Sequence, residues 1–333
     1  MSAATSETQV PAVPLAVGVT AAESAAGWRA VYELTKPRIT RLVTITAGVG
    51  FVLGAVHQSW ETWDLVGRAV GCGVGTALSA SGANALNQWW ERERDARMPR
   101  TCARPLPTLR ISPGAALGWG LAFSAAGVGL LALLGAAPAL VSLATILIYV
   151  LVYTPLKPVT TLNTLVGAVP GALPPLIGWT AAATGNLALG SGSGLAALGQ
   201  AGGWLLFLLM LVWQVPHFLA IAWMYKDDYA KGGYRMLPSA DPDGRLTART
   251  ILIWAATLVP ITLAPAMFLR DRLGVLSLAV ALVSGGAFLW LCVRLVAQCE
   301  RGRARAVFFA SIAHLPLLLM AYVADAVLHV VWR

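Results

Sequence analysis

Residues 203–225 read GWLLFLLMLVWQVPHFLAIAWMY, 23 positions without a formal charge. A helix needs about 20 apolar residues to cross a hydrocarbon core of roughly 30 Å. Inside lipid the backbone must satisfy its own polar groups, and the run is too long for a barrel strand, so the α-helix is the natural choice. Comparable segments lie near 39–57, 66–88, 114–135, 138–156, 161–183, 248–269, 273–293 and 306–330. The chain is therefore expected to be an all-α membrane protein with about nine transmembrane helices. The least certain division is Ala136–Pro138, where two spans meet with almost no loop.

Composition agrees. Of 333 residues, 57% are hydrophobic and 12% charged, against roughly 25% charged in a soluble domain. Mean hydropathy is +0.70. The net charge of +9 does not point to nucleic acid, because the basic residues sit in short loops between spans, where they set topology and hold head groups or a substrate phosphate. With the N-terminus inside, 20 of the 24 Lys and Arg residues fall on the inner side. This predicts N-inside, C-outside, with the polar loops 89–112 and 226–247 cytoplasmic and the uncharged 184–202 loop outside. Residues 1–27 lack Lys and Arg, unlike a signal peptide or presequence. They are expected to be a disordered tail before a polytopic domain at 28–333, and a bacterial inner membrane is the expected location. Cys72, Cys102, Cys292 and Cys299 show no zinc-like or disulfide spacing.

Polar chemistry gathers in three places. The first is NALNQWWERERDARMPRTCARPLPTLR, residues 84–110. Asn87, Glu91 and Asp95 are four apart, so on a helix they share roughly one face. An amide and two carboxylates at a membrane boundary suit Mg²⁺, which takes oxygen ligands and often shares them with phosphates. Arg92, Arg94, Arg97, Arg100 and Arg104 suit an anion, Arg100 and Arg104 as a diphosphate clamp. Glu93, Arg92 and Arg94 are equally well explained as surface pairs. Pro99 and Pro105 favour a shaped loop.

The second cluster, from Trp213 to Pro238, places Gln214, Pro216 and His217 inside an apolar span. Lys226, Asp227, Asp228, Tyr229 and Lys231 follow at its inner end, and Gly232–Gly233 closes the helix. The adjacent aspartates suggest a second metal position. A histidine in a span is costly without a partner, so His217 is either an interhelical hydrogen-bonding group or a substrate contact. His57, His314 and His329 lie nearer span ends or lack a companion motif, and are read as structural. The third feature runs from Tyr153 to Trp179. Tyr153, Lys157 and Asn163 lie at or near the inner surface, and Pro170, Gly171, Pro174 and Pro175 break the next helix, as happens where backbone lines a cavity. Lys157 is read either as a phosphate contact or as an interfacial anchor.

These motifs resemble the intramembrane aromatic prenyltransferase superfamily, whose first motif has the form N-D-x-x-D-x-x-x-D; Gln88 and Glu91 depart from it. The closer resemblance is to the protohaem IX farnesyltransferase family. Its N-x-x-x-[DE]-x-x-x-D-x-x-M-x-R-T-x-x-R-P pattern is met by Asn87, Glu91, Asp95, Met98, Arg100, Thr101, Arg104 and Pro105. Its W-Q-x-P-H-F is met by Trp213, Gln214, Pro216, His217 and Phe218, and its D-Y-x-x-G-G-Y-x-M by Asp228, Tyr229, Gly232, Gly233, Tyr234 and Met236. Tyr153, Thr154, Lys157, Asn163, Gly167, Gly171, Pro174 and Pro175 continue the match, which covers about residues 30–330.

The resemblance implies a nine-helix bundle around a central cavity. It also implies transfer of a farnesyl group from farnesyl diphosphate to the vinyl group of haem B, with diphosphate leaving and water adding, to give haem O. Haem B is then substrate and Mg²⁺ the diphosphate-bridging cofactor. Glu91, Asp95, Asp227 and Asp228 would hold metal, with Asn87 orienting the first cluster. Arg100, Arg104, Lys157 and Lys226 would bind diphosphate. Tyr153 and Trp213 would flank the cation or the porphyrin, Asn163 and Gln214 would bind substrate, and His217 would be either an interhelical hydrogen-bonding group or a contact to the porphyrin iron or a propionate. Membrane lipid surrounds such a protein, and a haem A synthase or terminal oxidase assembly would collect its product. A sister enzyme acting on a quinone precursor or chlorophyllide is the nearest alternative, and an ion-coupled transporter the next.

Overall fold

A computed structural model describes residues 21–56, 58–183 and 195–331. The helices are α1 (Ala21–Leu34), α2 (Pro37–Ala55), α3 (Thr62–Asp95), α4 (Pro113–Leu134), α5 (Ala136–Leu147), α6 (Thr154–Leu156), α7 (Asn163–Ala172), α8 (Pro174–Ala183), α9 (Ala201–Met224), α10 (Lys226–Lys231), α11 (Leu237–Ala240), α12 (Arg245–Phe268), α13 (Val275–Ala297) and α14 (Arg301–Val331). A π-helical stretch, Ile148–Tyr153, joins α5 to α6. Among the described residues there is no strand.

Each expected span is found. Eight helical stretches are long and apolar enough to cross a membrane: Pro37–Ala55, Pro113–Leu134, Ala136–Leu156, Asn163–Ala183, Ala201–Met224, Arg245–Phe268, Val275–Ala297 and Arg301–Val331. The ninth, α3, contains the expected 66–88 segment but carries too many polar residues to rank with them. Its 34 residues make a rod of roughly 50 Å, and its lower half holds Asn84, Asn87, Gln88, Glu91 and Asp95, all buried. The division between α4 and α5 falls at the single residue Gly135. Helix α1 begins at Ala21, inside the segment expected to be tail. Residues 1–20, His57 and most of the outer loop lie outside the described residues.

The bundle has two lobes. The first packs α2, α3, α4, α5, α7 and α8. There small residues let helices meet backbone to backbone: a Cβ on Gly178 of α8 would overlap the Ala47 carbonyl of α2, and one on Gly127 of α4 would overlap Ser79 of α3. The second lobe packs α9, α12, α13 and α14 around Leu209, Ile251, Leu258, Phe288, Leu318 and Tyr322, all almost fully buried. The lobes join where α7 and α8 pack on α9, and again where α2 meets α14 over a short stretch.

Several buried polar groups in the second lobe are paired, although His314 Nε2 has no hydrogen-bond partner. The Asp325 carboxylate of α14 accepts from the backbone amides of Gly274 (2.9 Å) and Ser277 (2.8 Å), capping α13. His314 Nδ1 meets Ser284 Oγ at 2.8 Å, and His329 Nδ1 meets the Asp325 carbonyl at 3.0 Å. These are structural roles, as expected. The four cysteines are free.

Candidate functional site

Because α3 runs unbroken to Asp95, the four-residue spacing survives as geometry: Asn87, Glu91 and Asp95 line one face and are at most 4% exposed. Each meets a cation. Lys36 Nζ donates to Asn87 Oδ1 at 2.7 Å, Lys157 Nζ lies 2.8 Å from Glu91 Oε1, and Arg104 Nη1 donates to Asp95 Oδ2 at 2.6 Å. Asn87 Nδ2 donates to Thr154 Oγ1 at 3.0 Å, and that hydroxyl donates to the Tyr149 carbonyl. Arg104 reaches back because residues 96–111 form a chain of turns, tied down where Thr101 Oγ1 donates to the Asp95 carbonyl at 2.8 Å. The prolines there do shape a loop.

The electrostatics follow from burial against charge. Burial pushes the Glu91 carboxyl up, but Lys157 and Lys36 overcome it and hold the group below the usual carboxylate range. Burial pulls the Lys157 ammonium down, while Glu91 and the surrounding tyrosines raise it well above its ordinary value. Lys36 goes the other way: burial, then repulsion from Arg104 and Lys157, brings it down to about 7.

Lys157 is thus no interfacial anchor. It lies over the Tyr153 ring (4.6 Å), which packs on Tyr149 (5.5 Å). The π-helical stretch carries both tyrosines; such stretches often occur at functional sites. Asn163 is buried with its amide on backbone, donating to the carbonyls of Thr160 (2.5 Å) and Arg235 (2.7 Å). It joins the Lys157 loop to residues 232–236. Gln214 Nε2 donates to the Met210 (3.1 Å) and Ala168 (3.4 Å) carbonyls beside the proline break. These two amides brace the site rather than present donors to a ligand, which corrects the expectation for both. Trp213 stacks on His217 at 4.7 Å, and His217 makes its interhelical bond to Ser311 of α14.

The second polar loop docks differently from expectation. Helix α9 stops at Met224, and α10 carries Lys226 and Asp227 in the open, with Asp228 half-buried. Lys226 and Asp227 line a separate hollow of about 280 Å³ with Asp241, Asp243 and Arg301. Among the described residues no three His, Cys, Asp or Glu side chains come close enough to hold a metal. Glu91, Asp95, Asp227 and Asp228 are therefore not gathered into one cluster, and Lys226 is not at the buried cations. What reaches the first cluster is the following turn. Arg94 donates to the Gly232 carbonyl (3.2 Å), Arg100 to the Tyr229 hydroxyl (3.3 Å), and Tyr234 is buried near Lys157.

Lys36, Thr154, Tyr149 and Tyr234 went unnoticed as site residues in the sequence. Lys36 had one local signal, its place before Pro37, where backbone choice is restricted. Its φ of 48° is left-handed, held by Gln88 donating to the Leu34 carbonyl and Asn84 to the Thr35 carbonyl.

The donor set at α3 fits a hard divalent cation. Asp95 Oδ1 is buried without a hydrogen-bond partner, and Glu91 Oε1 has only its ion contact with Lys157. Both are carboxylate oxygens of the type Mg²⁺ prefers.

Comparison with known proteins places the chain. Residues 42–314 match the UbiA prenyltransferase family. The protohaem IX farnesyltransferase of Solibacter usitatus is 44% identical over 292 residues, covering 86% of this chain and 94% of that one. The fold is similar to a digeranylgeranylglyceryl phosphate synthase, with a TM-score of 0.72 at 14% identity over 90% of this chain and 99% of the other. It is also similar to a UbiA homologue from Archaeoglobus fulgidus bound to GPP and Mg²⁺, with a TM-score of 0.56 at 13% identity over 89% and 99%. A membrane-spanning helical bundle with a buried row of carboxylates and cations at one end of α3, matched over most of its length by sequence, belongs to the UbiA prenyltransferase family.

Proposed function

We infer that this chain transfers a farnesyl group from farnesyl diphosphate to a vinyl group of haem B, with diphosphate leaving and water then adding, with loss of a proton, to the cation left on the porphyrin side chain, giving haem O. The observation that carries this reading is the alternation at the end of α3, where buried Glu91 and Asp95 are each held by a cation, Lys157 and Arg104. The matched relatives of this length are protohaem IX farnesyltransferases, and the Archaeoglobus homologue was seen with a prenyl diphosphate and Mg²⁺.

Glu91 and Asp95 would hold Mg²⁺, which when bound neutralises charge developing on the diphosphate. Lys157, Arg104 and Lys36 are then released toward the phosphate oxygens, where the fixed fork of Arg104 suits two parallel bonds. Arg100 caps the site from the loop. Scission leaves an allylic cation. Tyr149 and Tyr153 present ring faces beside Lys157, and such faces stabilise a carbocation while the helices exclude water. Asn87 holds Lys36 and the Thr154 turn in register. Asp227 and Asp228 stand apart from this row, on α10.

The helical body from residue 28 onward works as one catalytic unit in a bacterial inner membrane, with the site on the cytoplasmic side and the C-terminus outside. Its product passes to a haem A synthase or terminal oxidase assembly. The decisive experiment incubates purified protein with haem B, farnesyl diphosphate and Mg²⁺ and analyses products by mass. A haem carrying the farnesyl and hydroxyl additions supports the reading; no new product, or prenylation only of a quinone precursor, removes it.

A further inference from the structure

The acceptor side of the reaction has its own signature on α9. Trp204 and Leu208 are 44% and 36% exposed and mark one open face of that helix. At about 100° per residue, positions nine apart lie half a turn away from each other. Trp213 is nine residues from Trp204, and His217 nine from Leu208. Both are half-buried and meet α14, where Trp213 Nε1 donates to the Ser311 carbonyl at 3.0 Å and His217 bonds to the Ser311 hydroxyl.

The tautomer of His217 is fixed by Ser311. A serine hydroxyl has one proton, and Ser311 Oγ donates it to the Phe308 carbonyl at 2.6 Å. Its oxygen must therefore accept from His217 Nδ1, 2.7 Å away. Nδ1 carries the proton and Nε2 keeps a lone pair. Among the described residues nothing bonds to that nitrogen. His314 is the control. It uses the same device, since Ser284 donates to Val280 and so accepts from His314 Nδ1. Its Nε2, however, is sealed inside the protein, whereas the Nε2 of His217 is not.

Three rings stand in parallel at this point. Trp213 stacks on His217 at 4.7 Å and 18°, and Phe308 stacks on its other face at 5.2 Å and 24°. Their edges make a flat apolar wall with a nitrogen lone pair at its centre. A metalloporphyrin lying on such a wall stands perpendicular to the imidazole, as axial ligation requires. Metal-bound histidines almost always donate the other ring N–H to an acceptor, which fixes orientation and raises basicity. The depth is right as well. His217 lies seven residues before Met224, the end of α9, or about 10 Å below the inner surface. A porphyrin held there lies within the apolar span of α9.

We propose that His217 Nε2 is the axial ligand of the porphyrin iron of the acceptor, with Ser311 as its positioning residue and Trp213 and Phe308 as the platform. This rests on the haem-acceptor reading above.

The test is spectroscopic and needs no turnover. Purified full-length protein is titrated with ferric haem B and followed by absorption and electron paramagnetic resonance. The wild type is expected to give a histidine-ligated spectrum. His217→Ala is expected to lose it, and added imidazole to restore it. Ser311→Ala is expected to keep the ligation, bind haem about tenfold more weakly, and lower the iron–histidine stretching frequency of the ferrous form. A His217→Ala spectrum identical to wild type, or an unchanged stretch and affinity in Ser311→Ala, overturns the assignment while leaving haem as acceptor. A wild-type protein that binds no haem overturns both.

Discussion

Replacing Lys157 with Met tests whether the α3 carboxylates are held as buried ion pairs awaiting a ligand. The side chains of Lys157 and Glu91 are 13% and 5% exposed, with 2.8 Å between charged atoms. At an effective dielectric of about 20, attraction at that distance is on the order of 6 kcal/mol. Desolvation of both groups offsets much of this, so the pair itself is nearly neutral to stability. Removing one partner is different, because it strands the other charge. Lys157→Met should therefore cost about 3–5 kcal/mol in the ligand-free protein. Glu91→Gln combined with Lys157→Met should recover most of that loss, since no lone charge remains. Both variants should lose product formation by at least about a hundredfold, because each removes a group aimed at developing charge. The assay is reversible denaturant unfolding in mixed micelles for the four members of the cycle, with turnover measured in parallel. Independent, additive effects of the two substitutions, or a cost below about 1 kcal/mol for Lys157→Met, would refute the buried-pair account.

Other substitutions probe the rest of the site. Asp95→Asn should abolish haem O formation with the protein still in the membrane; a fully active variant in a product assay removes the metal role. Lys36→Met should raise KM for farnesyl diphosphate about tenfold, in line with one lost charge-assisted hydrogen bond, and unchanged steady-state kinetics would exclude Lys36 from the site. Chelation with EDTA should stop turnover and Mg²⁺ restore it, while the unfolding curve stays in place because Lys157 and Arg104 return to the carboxylates. Turnover that persists in chelator contradicts this. Gly178→Val should destabilise the bundle by about 3 kcal/mol or more, since its side chain would overlap the Ala47 carbonyl; wild-type melting of that variant would mean the α2–α8 contact is looser than described.

What was legible in the sequence depended on whether helical phase is kept. Asn87, Glu91 and Asp95 could be placed on one face because α3 continues through all three without a break. Spacing then translates directly into direction. The spans were legible for a related reason: length and hydropathy need no knowledge of neighbours. Asp227 and Asp228 were not placed correctly because α9 ends at Met224 and Tyr225 leaves helical geometry (φ −117°, ψ 25°). Beyond that point phase is lost, and adjacency along the chain says nothing about which side chain turns inward. The turn through Gly232 and Gly233, with φ of 69° at Gly233, sends Tyr234 to the buried cations instead.

The same reasoning explains why Lys36 was counted only as a topology signal. Its partner Asn87 is 51 residues away, and the left-handed backbone that aims its ammonium depends on Asn84 and Gln88 of α3. Gln88 is the position where the superfamily motif has an acid. An acid there would add a negative group next to Asn87 on α3. The amide instead donates to the Leu34 carbonyl and helps fix a cation opposite Glu91. The substitution therefore exchanges one negative group at the carboxylate row for better placement of a positive one. Lys36, Lys157 and Arg104 thus meet two buried carboxylates, and Lys36, brought down to about 7 by burial and by the other two cations, is the cation that gains most from a bound anion. Under the function proposed above, that preference for an anion is why a metal diphosphate would suit the site better than a metal alone.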